Sequence, residues 1–321
     1  MKTAIETILN EMQDYLSIAQ MKQLQQCLIK NLNEKTQQDD IENSQYLELF
    51  IEAKSIEGCS KRTIQYYKVT IENFLNTVTI PVRKITTDNL RKYLSDYQKV
   101  NNCSRVTIDN IRRNLSSFFS WLEDEDYILK NPIRRIHKIR TATKVKETFS
   151  DEHIEIMRDN CSCIRDLAII DLLYSTGMRV GELIHLNRND INFEDRECIV
   201  YGKGNKERQV YFDAKAKLHL QKYLNSRKDD NKALFVSLDF PFNRLQISGV
   251  ETRLRFLGRR LNIDRVHPHK FRRSMATKAI DKGMPIEQVQ KLLGHQQIDT
   301  TMHYAMVNQN NVKNSHRKFI A

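Results

Sequence analysis

The sequence predicts a mainly α-helical chain of two domains, the second a mixed α+β body with a small antiparallel sheet. Three observations lead there. The chain has 321 residues, about twice the ~150 of a typical domain and long enough to bury a core in each. Its 9 Gly and 5 Pro are too few for the many tight connections of an all-β fold. Its hydrophobic residues, 40% of the total, recur mainly at helical spacing, which also argues against a disordered chain.

In chain order, Ile5, Ile8, Leu9, Met12 and Leu16 fall on one helical stripe, and the polar stretch Asn33 to Asn43 interrupts it. Residues 1–40 therefore read as an accessory helix and a linker. Residues 41–130 read as a helical domain. Its first helix runs from Tyr46 to Ala53. Ser60, whose hydroxyl can satisfy an orphan amide, opens a second with Ile64, Tyr67, Ile71, Phe74 and Leu75 on its apolar face. Asp88 to Tyr97 forms a third, capped by Thr87 or Asp88. Ser104 caps a fourth that carries Ile108, Ile111, Leu115, Phe118, Phe119 and Leu122, with Arg112 and Arg113 off that stripe.

Residues 131–146 separate the domains, and Lys130 to Lys146 contains seven Lys or Arg and no acid. This basic stretch reads as a linker lying along phosphates, or alternatively as a solvated hinge. Residues 147–321 form the second domain. Ser150 caps a short helix, Cys163 to Tyr174 makes a buried one and Gly181 to Leu186 another. Glu197 to Gly202 and Glu207 to Phe212 read as strands joined by the turn Lys203-Gly-Asn-Lys206, suited to a hairpin. Ala233 to Ser237 is a further strand candidate, and the remainder is helical.

With 52 Lys plus Arg against 40 Asp plus Glu, the net charge of +12 favours a polyanionic partner, nucleic acid before an anionic membrane. No apolar run approaches the ~18 residues of a membrane span. The N-terminus carries acids within its apolar pattern, unlike a leader peptide, so a cytoplasmic protein is expected. The six cysteines are scattered without C-x-x-C or zinc spacing, and neither a metal site nor a disulfide framework is expected.

Four islands in the second domain point to chemistry. In Tyr174-Ser-Thr-Gly-Met-Arg-Val-Gly-Glu-Leu183, Gly177 ends one helix and Arg179 starts the next, with Glu182 one turn on to hold its guanidinium. Lys203 at a hairpin tip can protonate a leaving oxygen. In His267-Pro-His-Lys-Phe-Arg-Arg273, His269 and Arg272 share a helix face at the end of a stretch, Arg253 to Arg273, that holds eight Lys or Arg against one acid. Lys291-Leu-Leu-Gly-His295 places His295 after a helix ended by Gly294, and Tyr304, a nucleophile once deprotonated, follows nine residues later. Taken singly, each also fits a plain structural reading: a surface ion pair, a solvated turn, a basic helix, a packed tyrosine.

Together these islands resemble the tyrosine recombinase, or phage integrase, family. The resemblance spans about 44 to 306 and rests on Thr176-Gly-Met-Arg179-Val-Gly-Glu182-Leu183, Gly202-Lys203-Gly-Asn-Lys-Glu-Arg208, His269-Lys-Phe-Arg272, Leu293-Gly-His295 and Tyr304. It is nearest in style to Xer-type and mobile-element integrases, although Arg273 stands where a histidine often follows. The resemblance implies a two-domain DNA clamp, with a SAM-like helical core-binding domain and a catalytic domain. It implies a site-specific recombinase that joins strands through a 3′-phosphotyrosyl intermediate, in integration, excision or resolution.

By the same resemblance Tyr304 is the nucleophile. Arg179 and Arg272 clamp the phosphate, His269 assists proton removal, His295 hydrogen-bonds the phosphate, Lys203 is the general acid and Glu182 orients the cluster. No cofactor, metal or ATP is implied. The partners are double-stranded DNA at specific sites and further copies of the chain, as a tetramer on two DNA sites with Asn308 to Ala321 docking on a neighbour. Accessory proteins are compatible with this reading, and no membrane is involved. A DNA-binding regulator would explain the charge and helices without the polar constellation, and a type IB topoisomerase would share the chemistry without exchanging partners.

Overall fold

The structure, a computed structural model, describes residues 2–36, 42–140, 147–202 and 207–305. The chain divides into two compact units, Met1–Thr143 and Lys144–Ala321. Among the described residues no helix is long and apolar enough to cross a membrane.

The first unit begins with α1 (Lys2–Met12) and α2 (Ile18–Thr36). The sequence pattern reads as one accessory helix, but the helix ends at Met12 although the stripe runs on to Leu16. Ser17 and Gln20 exchange capping bonds there, Ser17 N–H to Gln20 Oε1 at 3.0 Å and Gln20 N–H to Ser17 Oγ at 3.5 Å, which starts a second helix. The predicted linker from Asn33 is helical as far as Thr36.

Four helices then build the core: α3 (Asn43–Ile56), α4 (Lys61–Thr77), α5 (Thr87–Asn101) and α6 (Arg105–Asp124). Ser60 and Ser104 cap α4 and α6 by accepting from Thr63 N–H and Thr107 N–H. The cap of α5 is Thr86, one residue before the expected position, in a reciprocal capping box with Asn89. Phe50 stands edge-on to Tyr67, Phe118 and Trp121 at centroid distances of 5.4 to 5.6 Å, a favoured aromatic geometry. Residues 130–140 pack against this unit. Ile133 is buried, Asn131 donates to Ser120 Oγ, and the Ile139 amide donates to Asp109, which also pairs with Arg112 and Arg113.

The second unit runs α7 (Asp151–Asp159), α8 (Ile164–Thr176), α9 (Val180–His185), β1 (Ile191–Asn192), β2 (Glu197–Tyr201), β3 (Glu207–Tyr211), α10 (Ala214–Ser226), α11 (Ile247–Arg260), α12 (Pro268–Asp281), α13 (Ile286–Leu293) and α14 (Ile298–Ala305). Helix α8 is nearly all buried and packs on α10 and α12. The sheet is antiparallel in the order β1-β2-β3, with Val200 opposite Arg208 and Tyr201 opposite Glu207. Cys198, Val200 and Val210 face the core while Ile199, Tyr201 and Tyr211 face solvent, the two-residue alternation of a half-covered sheet.

The strand expected over Ala233–Ser237 does not join this sheet. It makes only isolated bridges, Asn187 with Ala233 and Val236 with Arg244. Three of its carbonyls are taken instead by guanidinium groups, Arg227 reaching Ala233 O and Leu234 O and Arg165 reaching Val236 O, while the Leu245 amide donates to Phe235 O. The apolar run marks burial, which strand and buried loop share.

Candidate functional site

Arg179 is the N-cap of α9, and Glu182 sits one turn on, where its carboxylate reaches back to the cap. Glu182 Oε2 accepts the Arg179 backbone N–H at 2.7 Å and Oε1 accepts Arg179 Nη1 at 2.9 Å. The Glu182 side chain is only 3% exposed whereas that of Arg179 is 36% exposed, so a buried carboxylate presents a solvent-facing guanidinium. Arg208 on β3 grips the same carboxylate bidentately, with Nη1 and Nη2 each 2.6 Å from one oxygen. Burial pushes the Glu182 carboxyl up, but Arg208 and Arg179 outweigh it and hold the group below its usual range.

Arg272 emerges from the first turns of α12, which begins at Pro268 as a proline at N1 allows. Its side chain lies between two helix C-termini. Nη1 donates to Gly177 O at the end of α8 and Nη2 to Leu293 O at the end of α13, both at 2.6 Å. Helix C-termini carry partial negative charge, so this seat suits a cation with little access to water. Each of these helices ends on a left-handed glycine, Gly177 at φ 62° and Gly294 at φ 65°. At Gly177 a Cβ would also stand 2.0 Å from Met275 Cε.

Burial and the Arg272 and Arg179 cations lower the pKa of His269. The same causes, in the same order and with Arg208 added, bring His295 down to about 4, so both imidazoles are neutral near pH 7. His295 Nδ1 lies 2.9 Å from the Oγ1 of buried Thr301 on α14, and Gln290 Nε2 holds the His295 carbonyl at 3.0 Å. Arg179, Arg208, Gly294 and His295 line one cleft bounded by β3, α12 and α13.

Of the residues singled out in the sequence, His269 and His295 each lie within electrostatic reach of Arg179 and Arg272, and Glu182 holds Arg179. Lys203 and its turn lie outside the described residues. Tyr304 falls on α14, with its side chain outside the described ones, as is the segment Asn308 to Ala321. Arg208 stood in the sequence motif with no task, and its pairing with Glu182 has no local signature.

The basic patch around α12 is thinner than the count of eight cations implies. Lys270 is buried with Nζ on Asp264 O and 4.5 Å from the Phe149 ring centre, and Arg253 pairs with Asp166. Arg273 donates to Glu147 O. Among the described residues no group of three His, Cys, Asp or Glu could hold a metal ion.

The model of the phage integrase family matches residues 146–311, and that of the phage integrase N-terminal SAM-like domain matches residues 46–129. Tyrosine recombinase XerC of Oceanobacillus iheyensis is 29% identical over 290 residues, covering 85% of this chain and 95% of the relative. Tyrosine recombinase XerD of Rickettsia prowazekii is 31% identical over 295 residues, covering 84% and 94%. A structure of the Tn1549 transposon integrase with a circular intermediate DNA has a similar fold, with TM-score 0.71, 18% identity and coverage of 85% and 98%.

Proposed function

Since the chain belongs to the phage integrase family, we propose that Tyr304 carries out its DNA chemistry, with Arg179, Arg272, His269, His295 and Lys203 in the roles set out below. The protein is a tyrosine recombinase, a strand transferase acting in site-specific recombination. In the proposed step the Tyr304 hydroxyl oxygen attacks a phosphodiester phosphorus while its proton passes to neutral His269. A 3′-phosphotyrosyl bond forms, the bond to the 5′-oxygen breaks, and that oxygen takes a proton from Lys203. A 5′-hydroxyl from a partner strand reverses the step and joins new ends. The phosphotyrosyl bond keeps the energy of the diester, so the balance closes without ATP.

The observation that carries this reading is the seating of the two arginines. Arg179 is held on buried Glu182 and Arg272 between two helix C-termini. Fixed guanidinium charges beside a cleft stabilise the extra charge on nonbridging oxygens in the transition state without reorganising. Thr301 Oγ1 holds Nδ1 of the His295 ring in place, and in this reading the imidazole hydrogen-bonds a phosphate oxygen. A pure DNA-binding regulator has no use for two arginines fixed this way, one on a buried carboxylate and one between helix ends. Further copies complete the assembly in this reading, four protomers on two DNA sites with Asn308 to Ala321 docking on a neighbour.

The test is a nicked suicide duplex carrying a site selected from random-sequence DNA by the Tyr304→Phe protein. The wild type is expected to form a protein–DNA adduct that survives denaturant, and Tyr304→Phe to form none. Absence of the wild-type adduct, or its persistence in Tyr304→Phe, would overturn the assignment. Strand exchange between two duplexes then separates recombination from topoisomerase-like relaxation.

A further inference from the structure

Arg208 touches three parts of the site at once. Its Nη1 and Nη2 fork grips both oxygens of Glu182, and its Nε donates to Leu292 O at 3.1 Å on the last turn of α13. Its aliphatic stem lies so close to Gly294 that a Cβ there would stand 2.9 Å from Arg208 Cδ. The side chain itself is 11% exposed against 3% for Glu182. Arg208 thus ties β3 to the start of α9, where Arg179 is presented, and to the junction that carries His295. It also lies opposite Val200 in the β2–β3 pairing, on the strands that flank the Lys203 turn.

No other residue among the described ones shares this arrangement with Glu182 except Arg179. The two guanidiniums divide the carboxylate unequally. Arg208 takes both oxygens through parallel bonds, whereas Arg179 takes Oε1 through a single Nη1 and Oε2 through its backbone amide. A fork of this kind fixes the plane of the carboxylate as well as its position, and the plane decides where the Arg179 guanidinium points. A lysine in the place of Arg208 would keep the charge but hold only a point contact.

Resting on the reading of Arg179 and His295 as catalytic groups, we propose that Arg208 is a positioning residue for strand cleavage. It sets the Glu182 carboxylate, and through it the guanidinium of Arg179, in register with the β2–β3 hairpin and the His295 junction. It acts through Glu182 and makes no contact with DNA of its own. Losing it displaces reacting groups by a fraction of a bond length to about an ångström, a misplacement that costs on the order of 100-fold in rate. Binding of duplex DNA, which draws on many phosphate contacts, stays as it is.

The experiment compares wild type, Arg208→Met, Arg208→Lys, Glu182→Gln and the double variant Arg208→Met/Glu182→Gln on the nicked suicide duplex. Binding is read by mobility shift, single-turnover adduct formation is followed from pH 5 to 9, and each variant is melted to establish folding. Arg208→Met is expected to bind normally and cleave roughly 100-fold slower, with Arg208→Lys between it and the wild type.

The acid limb of the Arg208→Met rate profile should move to higher pH. Without the fork, Glu182 protonates more readily, a change that a general loss of stability would not produce. The double variant should be no slower than Glu182→Gln alone. Wild-type cleavage in Arg208→Met, additive losses in the double variant, or an unmoved acid limb would each overturn the proposal. If the wild type itself forms no adduct, the catalytic reading fails instead, so the two failures are distinct. Should Arg208→Met melt below the assay temperature, Arg208→Lys decides on the same criteria.

Discussion

Two glycines four residues apart in one motif should respond to alanine with opposite signs. Gly177 ends α8 at φ +62°, where an L side chain costs roughly 1–2 kcal/mol. Its new Cβ would also stand 2.0 Å from Met275 Cε and 3.3 Å from Leu293 Cδ2. The methionine tip can swing away, but it packs with Ala276, Val289 and Leu293, and an off-rotamer side chain adds about 1 kcal/mol. Gly177→Ala should therefore destabilise the second unit by about 2–3 kcal/mol.

Gly181, inside α9, has no positive φ, and its Cβ would meet nothing within 4 Å. There alanine removes only the unfolded chain's extra freedom and gains about 0.5–1 kcal/mol. Peptide-level hydrogen exchange across α8 and α12 in a urea series reads the opening of this unit apart from the other. A change of the same sign at both positions, or a loss below about 0.5 kcal/mol at Gly177, would refute the reasoning. Relief of part of the Gly177→Ala penalty by Met275→Ala would identify the steric share.

Two further outcomes follow from the titrating groups. The His295 imidazole, held at about 4, should stay neutral in an NMR titration of the DNA-free protein until well below pH 6. Since the folded value lies under the ordinary 6.5, the unfolded chain binds the proton first, and the second unit loses stability as pH falls from about 6.5 toward 4. A midpoint near 6.5 contradicts the site's electrostatics. Asp109 is a depressed carboxylate, in which the Ile139 amide and Arg112 and Arg113 outweigh the upward push of burial. Its contribution is present above the ordinary carboxylate pKa and lost as pH falls through the lowered one. Asp109→Asn should raise hydrogen exchange at Ile139 at pH 7, and unchanged exchange there excludes the tether.

Local chemistry made much of the secondary structure legible. Ser60, Ser104 and Ser150 cap the helices expected of them, and Gly294 ends α13 where the pattern stops. The exceptions are informative. The N-terminal stripe hid a break at Ser17 because two stacked helices can share one periodicity for a few turns. The Ala233–Ser237 run is apolar because it is buried, and its hydrogen-bonding groups go to scattered partners, from nearby Arg227 to Arg165, 71 positions away, instead of to a neighbouring strand. The charge count around α12 overstated the exposed cations, since Lys270 turns inward over Phe149.

The candidate site divides in the same way. Arg179 with Glu182 is a one-turn relation that spacing exposes. Arg272 on Gly177 spans 95 positions and Arg208 on Glu182 spans 26, and no periodicity reports such pairs. Legible from residue type and short spacing alone were the helical class, most helix caps and glycine ends, the identity of the cations and histidines, and hence the family. The fold alone settles which carbonyls seat Arg272, that Arg208 shares Glu182 with Arg179, and that burial and the arginines push both histidines below their ordinary range. Those outcomes depend on burial and on groups brought together from far along the chain, where a distance of 2.6 Å and exclusion from water set the energy.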